Sequence, residues 1–380
     1  MSFKSLGLSS ALLTTLEKQK FAAPTPIQTM TIPEILAGKD LLGIAQTGSG
    51  KTISFVLPML MKTQKDSYYK NRHIKALILS PTRELAIQIH KVIQLFTVNL
   101  ERRIKSLAVY GGVSINPQMI GLQNVEVLVA TPGRLLDLVR SNAIQISEVK
   151  TLILDEADKL LNLGFKKEIT EILEMLPSQK QNLLFSATLS KDVQHLQTLL
   201  LKDPVVINIA PDETSIDLIE QAAFKVTDSN KGPFLRFLIK ENNFDQILVF
   251  TSSGRNAEKV AFKLEKNGIT ASAIHGKMSQ GARSSALTRF KSKNIQVLVA
   301  TDLLSRGIDI DQLPCVINYE LPRSPKDFIH RIGRTGRAGS KGLAISLVTE
   351  DDLHHFKVIQ KKHRLWTEVQ TMDEVDLHGY

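Results

Sequence analysis

The sequence predicts an α/β fold of two domains, on three observations. Short apolar runs rich in β-branched residues alternate with segments of helical spacing. The chain has 380 residues and 43% apolar content, more than one ordinary domain needs. The loop Gly48-Ser49-Gly50-Lys51-Thr52 lies between the apolar run Leu41 to Ile44 and the helix-like stretch Ile53 to Met61, a strand, loop, helix order.

In chain order, buried strands are expected at Ala76 to Leu79, Val125 to Val129, Leu152 to Leu154, Leu183 to Phe185 and Val205 to Ile209. They resume at Ile247 to Phe250, Val297 to Val299, Val316 to Ile317 and Leu343 to Val348. Segments such as Leu85, Ile89, Val92 and Phe96 carry the helical period. The alternation implies mostly parallel sheets covered by helices on both faces. Val127-Leu128-Val129-Ala130-Thr131 and Val297-Leu298-Val299-Ala300-Thr301 are identical pentapeptides, which fits either a duplication or the few residue types that buried strands use. The polar stretch 210–219, with Pro211, reads as the linker between a first domain at 1–209 and a second at 220–380.

A formal charge of +10 points to a polyanionic partner, nucleic acid or an acidic membrane face. The single cysteine, Cys315, excludes an internal disulfide and a multi-cysteine metal site; it reads as a small core residue in a reducing compartment. No signal-peptide succession opens the chain and no apolar run is long enough to span a bilayer, so a cytoplasmic protein with no membrane contact is expected. The last thirty residues mix Lys and His with Asp and Glu, and do not read as a basic nucleic-acid tail.

Ala45-Gln46-Thr47-Gly48-Ser49-Gly50-Lys51-Thr52 has the requirements of a phosphate-binding P-loop. Gly48 and Gly50 let backbone N–H groups turn onto phosphate oxygens, Lys51 reaches the terminal phosphates, and Thr52 can ligate Mg²⁺. Ala45 stands where the strict pattern has glycine. Asp155-Glu156-Ala157-Asp158 follows a buried strand, where ligands of open α/β sheets bind. Asp155 is expected to serve the metal, and Glu156 to orient or deprotonate an attacking water. In the cluster His330-Arg331-Ile332-Gly333-Arg334-Thr335-Gly336-Arg337, the spacing of Arg334 and Arg337 would let one helical turn point both the same way. These two can serve as arginine fingers in phosphoryl transfer or as a nucleic-acid backbone patch.

With these residues the chain resembles the DEAD-box RNA helicases of superfamily 2, over essentially its whole length. Further motifs that fall in order are Pro24-Thr25-Pro26-Ile27-Gln28, Pro81-Thr82-Arg83-Glu84-Leu85-Ala86, Gly111-Gly112, Thr131-Pro132-Gly133-Arg134, Ser186-Ala187-Thr188, His275-Gly276 and Ala300-Thr301-Asp302. The opening Met1-Ser2-Phe3 with Leu6-Gly7-Leu8-Ser9 resembles the bacterial RhlE-type subgroup. The resemblance implies two RecA-like domains that close on ATP, Mg²⁺ and one RNA strand, in an RNA-dependent ATPase that separates short duplexes or remodels RNA–protein complexes.

It further implies that Gln28 reads the adenine edge with Phe21 against the ring, and that Asp309 contacts the ribose. Asp158, Ser186, Thr188 and His330 would couple the nucleotide to strand separation. Arg83, Gly112, Thr131 and Arg134, with Thr251, Arg283 and Thr301, would hold the RNA backbone without reading sequence, leaving selectivity to protein partners. Lys20 stands where this family usually has glycine before the aromatic. A DNA translocase and an ATP-gated RNA clamp of low turnover are the competing functions.

Overall fold

The structure is a computed structural model that describes residues 2–46, 48–65, 72–210, 218–302, 310, 313–336, 341–372 and 375–380. It divides into two compact units, Met1–Pro211 and Asp212–Tyr380.

The first unit is built on seven strands: β1 (Leu41–Ile44), β2 (Ala76–Leu79), β3 (Ser106–Val109), β4 (Val127–Ala130), β5 (Thr151–Leu154), β6 (Gln181–Ser186) and β7 (Val205–Asn208). They form one sheet in the order β3-β4-β2-β5-β6-β1-β7, and every pair is parallel. Alternate residues feed two different cores. Leu41, Ile78, Val127, Ile153 and Phe185 enter the cluster that holds Phe55 and Phe96, while Leu42, Leu77, Leu128, Leu152 and Leu184 enter the cluster on the other face. A strand covered on both sides has no solvent face, which is why these strands read as continuous apolar runs rather than alternating ones.

The second unit repeats the arrangement with β8 (Ile219–Lys225), β9 (Ile247–Thr251), β10 (Ala271–Ile274), β11 (Val297–Thr301), β12 (Cys315–Asn318), β13 (Gly342–Val348) and β14 (Val369–Gln370). Its order is β10-β11-β9-β12-β13-β8-β14, again parallel throughout. Numbered within each unit, the two orders are the same, and the repeated pentapeptide starts in the fourth strand of both sheets.

Four strands escaped the sequence reading. β3 and β10 are built on small residues, Ser-Leu-Ala-Val and Ala-Ser-Ala-Ile, and lie at sheet edges, where burial demands less apolar surface. β8 carries polar residues at Glu220, Gln221 and Lys225, and it begins at Ile219, inside the stretch taken as linker; residues 211–217 lie outside the described residues. β14 is only two residues long. Cys315 is wholly buried in β12, and burial pushes its thiol up to about 12. Among the described residues no helix is long and apolar enough to cross a membrane.

Candidate functional site

In the first unit, β1 delivers Ala45 to the phosphate loop, and the helix Lys51–Lys65 leaves it. Gly48 and Gly50 have φ of +85° and +93°, the left-handed region where glycine carries no penalty. A Cβ on Gly50 would also collide with the Gln28 amide. Lys51 is folded back on the loop, donating from Nζ to the carbonyls of Ala45 and, at 3.2 Å, Gln46. Burial lowers its pKa, and the nearby Asp155 and Glu156 charges oppose that. The Ser49 hydroxyl is buried without a partner. Gln46 and Gly48 are exposed, Thr52 is half-buried, and Thr47 lies outside the described residues.

Gln28 sits at the start of the helix Pro26–Leu36 and is 3% exposed. Its Oε1 accepts from the Thr25 N–H at 3.0 Å, and its Nε2 donates to the Gly50 carbonyl at 3.1 Å. Thr25 Oγ1 adds a bond to the Ser49 carbonyl at 2.7 Å, so this helix start is tied directly to the phosphate loop. An amide has two donor hydrogens and two acceptor lone pairs, and each contact uses one. One donor and one acceptor position are left for a ligand edge. Phe21 is part-exposed, its ring 6.3 Å from that of Phe96.

Asp155 and Glu156 follow β5, and both are almost fully buried. Glu156 adopts φ 51° and ψ 51°, a left-handed conformation costly for a residue with a Cβ, of the kind that gathers at functional sites. Its N–H donates to Asp155 Oδ1 at 2.9 Å, its Oε1 accepts from Lys159 Nζ at 2.6 Å, and its Oε2 is buried without a partner. Burial and the adjacent Glu156 charge push the Asp155 carboxyl up to about 7, against the pull of Lys51. A buried carboxylate pair with one orphaned oxygen suits a cation or a polarised water. The described residues contain no group of three or more His, Cys, Asp or Glu that could hold a metal. Thr52 and Asp155 supply two oxygens, which fits Mg²⁺, an ion that keeps waters and takes substrate phosphates.

The third cluster joins these carboxylates to the end of β6. Thr188 Oγ1 donates to Asp158 Oδ2 at 3.0 Å, Ser186 Oγ donates to the Thr188 carbonyl at 2.8 Å, and the Ala45 N–H donates to the Ser186 carbonyl at 3.1 Å. Asp158, Ser186 and Thr188 thus form a hydrogen-bonded chain that returns to the phosphate loop.

Arg83, Gly112, Thr131 and Arg134 also come together. The Arg83 guanidinium lies over Gly112, whose φ is +76°, and bonds its carbonyl at 3.3 Å. Thr131 Oγ1 accepts from the Gly111 N–H at 3.3 Å, and Arg134 Nη2 donates to the Val113 carbonyl at 2.8 Å, with Nη1 buried and unpartnered. These groups follow β2, β3 and β4. In the second unit Thr251 and Thr301 are register partners at the ends of β9 and β11, and Arg283 is on the helix Gln280–Lys291 that follows β10. Those are the equivalent three strands of the second sheet.

The arginine cluster differs from expectation. The helix Pro325–Ile332 stops before Gly333, so Arg334 lies in the turn beyond it; Arg337 and Asp309 lie outside the described residues. Arg334 is 3% exposed and its carbonyl accepts from the Leu313 N–H at 3.0 Å; His330, in the helix, is half-buried. Arg331, to which no role was given from sequence, is the most fully engaged residue of the cluster. It is 1% exposed, forks onto Asp302 at 2.5 and 2.8 Å, bonds Asn318 and the Glu320 carbonyl, and lies over the Phe250 ring at 4.9 Å. No local pattern announces such a hub, because its partners are 11 to 29 residues away.

The DEAD/DEAH box helicase family matches residues 25–196, and the helicase conserved C-terminal domain matches residues 230–339. The chain is 38% identical over 366 residues to the ATP-dependent RNA helicase CshA of Limosilactobacillus reuteri, covering 96% of this chain and 72% of that one. It is 39% identical over 376 residues to CshA of Listeria monocytogenes, covering 98% and 71%. Among solved structures, S. cerevisiae Dbp5 bound to RNA and ADP BeF3 superposes with a TM-score of 0.86 at 30% identity, over 98% of this chain and 96% of that one.

Proposed function

Since the chain belongs to the DEAD-box helicases and is an ATP-dependent RNA helicase with RNA-dependent ATPase activity, we propose how its own residues divide the work. The carrying observation is the buried Glu156 carboxylate, with one oxygen held by Lys159 and the other unpartnered beside Asp155. Lys51 leaves the loop carbonyls for the terminal phosphates of ATP, while Thr52 and Asp155 hold Mg²⁺. Mg²⁺, when bound, neutralises phosphate charge. The free Glu156 oxygen accepts a hydrogen bond from the attacking water and aligns it. Gln28 offers its remaining donor and acceptor to adenine, with Phe21 at the ring face and Asp309 at the ribose.

Arg334 and Arg337 stabilise charge developing on the transferred phosphoryl group, so that productive hydrolysis requires residues of 220–380 as well as of 1–209, joined by the linker 210–219. The chain Asp158, Thr188, Ser186, with His330, relays nucleotide state to the RNA-binding loops. Arg83, Gly112, Thr131, Arg134, Thr251, Arg283 and Thr301 take the phosphates and 2′-hydroxyls of one strand, and closure on ATP and RNA bends that strand out of a duplex. Hydrolysis resets the cycle. Protein partners would supply RNA selectivity, and a cytoplasmic setting accords with the single buried thiol. The RhlE-type subgroup finds no support in the relatives described, which are named CshA, so the reading stays at the family.

The test pairs two variants in ATP binding and steady-state ATPase assays with RNA present. Lys51→Ala is expected to lose nucleotide binding. Glu156→Gln is expected to bind ATP and RNA normally and to lose turnover by two to four orders of magnitude, roughly the worth of a general base. Normal turnover in Glu156→Gln would assign the water-orienting role elsewhere.

A further inference from the structure

The helix Leu353–His363 contains no Asp or Glu, and its basic residues divide between a packed face and an exposed one. Phe356, Ile359 and Gln360 are buried, and His355 and His363 make 2.7 Å contacts with the carbonyls of Pro322 and Pro325. The opposite stripe, His354, Lys357, Val358, Lys361 and Lys362, is exposed, and Arg364 continues it. Lys357 and Lys361 are four residues apart in the helix, a spacing at which like charges destabilise it, and Arg364 follows as the C-cap residue with φ +54°. None of these three makes an ion pair with a described residue, whereas Glu350, beyond the other end of the helix, is paired with Lys225 at 2.6 Å. Attraction to the helix C-terminus accounts for Lys361 and Lys362 but not for Lys357 a turn earlier.

Two residues after Arg364 stands Trp366, 76% exposed. Its backbone is fixed: the Leu365 N–H bonds the Gln360 carbonyl at 3.1 Å, the buried Gln360 side chain donates to the Thr367 carbonyl at 2.6 Å, and Val369 enters β14. The packed fold therefore presents a large apolar ring to water on a rigid support, where folding alone would bury it.

We propose that Lys357, Lys361, Arg364 and Trp366 form an accessory platform for single-stranded RNA on the second unit, a reading that rests on the RNA helicase function. Charge complementarity selects the occupant. Unpaired cations track a phosphate backbone, and an exposed indole stacks a base of any sequence. The platform adds RNA affinity outside the loops at the ends of the strands.

Trp366 is the only tryptophan in the chain, so its fluorescence reports the platform directly. The experiment titrates the full, nucleotide-free chain with a polyuridine oligomer and follows tryptophan emission, with RNA-stimulated ATPase measured in parallel. Saturable quenching that weakens with salt is expected. By anisotropy of labelled RNA, Trp366→Ala is expected to bind roughly tenfold more weakly. A K357E/K361E/R364E variant is expected to lower the slope of log affinity against log salt by about 2, at 0.7 per lost phosphate contact, with basal ATPase unchanged. RNA-stimulated ATPase without quenching would overturn the platform and leave the helicase reading intact. Quenching by polyglutamate in place of RNA would overturn it in favour of an acidic protein partner. Neither stimulation nor quenching would overturn both readings.

Discussion

Arg331 Nε and Nη2 fork onto the two carboxylate oxygens of Asp302, joining the helix Pro325–Ile332 to the residue that follows β11. The guanidinium is buried, and this fork supplies its carboxylate partner beside the contacts to Asn318, the Glu320 carbonyl and the Phe250 ring. Asp302→Ala takes the carboxylate from a buried guanidinium and is expected to destabilise by about 3–5 kcal/mol, whereas Arg331→Met, which leaves a part-exposed Asp302, is expected to destabilise by less. Urea denaturation of the single variants and of the double variant measures this. The double variant should recover part of the loss; strictly additive losses would mean that the pair does not act as a unit.

Thr188→Val removes the hydroxyl that bonds Asp158 Oδ2 and preserves the side-chain shape. Asp158 Oδ1 already lacks a partner, so the carboxylate would lose its contact with the Ser186–Thr188 turn. RNA-stimulated ATPase is expected to stay within about threefold of the parent while separation of a short duplex falls about tenfold or more, a difference of ~1.4 kcal/mol in coupling. Equal loss of both activities would show that the bond supports hydrolysis itself.

Lys20, next after the C-cap Gln19 of the helix Ser10–Lys18, has φ +59°, where a side chain costs roughly 1 kcal/mol and glycine does not. Lys20→Gly is therefore expected to stabilise the first unit by about 0.5–1 kcal/mol, read as a rise in thermal midpoint, even though glycine loosens the unfolded chain. A fall would show that the Lys20 side chain makes a compensating contact.

Cys315 has its thiol pushed from an ordinary value near 9 to about 12. The unfolded chain releases this proton above pH 9 and the folded chain holds it to about 12, so stability is fully present below 9 and declines between those values. Cys315→Ala is expected to flatten that alkaline decline, at the cost of a small cavity at neutral pH. Thiol reagents are expected to modify the native chain only after unfolding.

The sequence showed the α/β class because strands such as Ile247 to Phe250 are apolar at every position, which only a sheet covered on both faces requires. Edge strands such as Ser106–Val109 were hidden because partial exposure relaxes that demand. The phosphate loop and the Asp155–Asp158 run were legible because their chemistry is local in sequence. The bond from Gln28 to Gly50 and the hub at Arg331 were not, because they exist only after distant segments meet. Arg334 lies beyond the helix that ends at Ile332, with Gly333 as its C-cap, a stop that the three-residue spacing to Arg337 does not reveal.

The two sheets share one strand order but carry different loops at equivalent positions. After the first strand of the first sheet the chain makes a phosphate loop; after its counterpart β8 it runs through Val226-Thr227-Asp228-Ser229-Asn230, with no glycine, and the buried Lys231 that opens the next helix lies over the Tyr319 ring at 5.2 Å. After the fifth strand of the first sheet Glu156 keeps an oxygen free, whereas beyond β12 the carboxylate of Glu320 is consumed by the Ser252 N–H at 2.6 Å, the Ser252 hydroxyl and the Asn256 amide. The first unit thus leaves the acid's oxygen open where the second closes the equivalent acid into a hydrogen-bond network, so two sheets of one strand order differ at the loops that follow their strands.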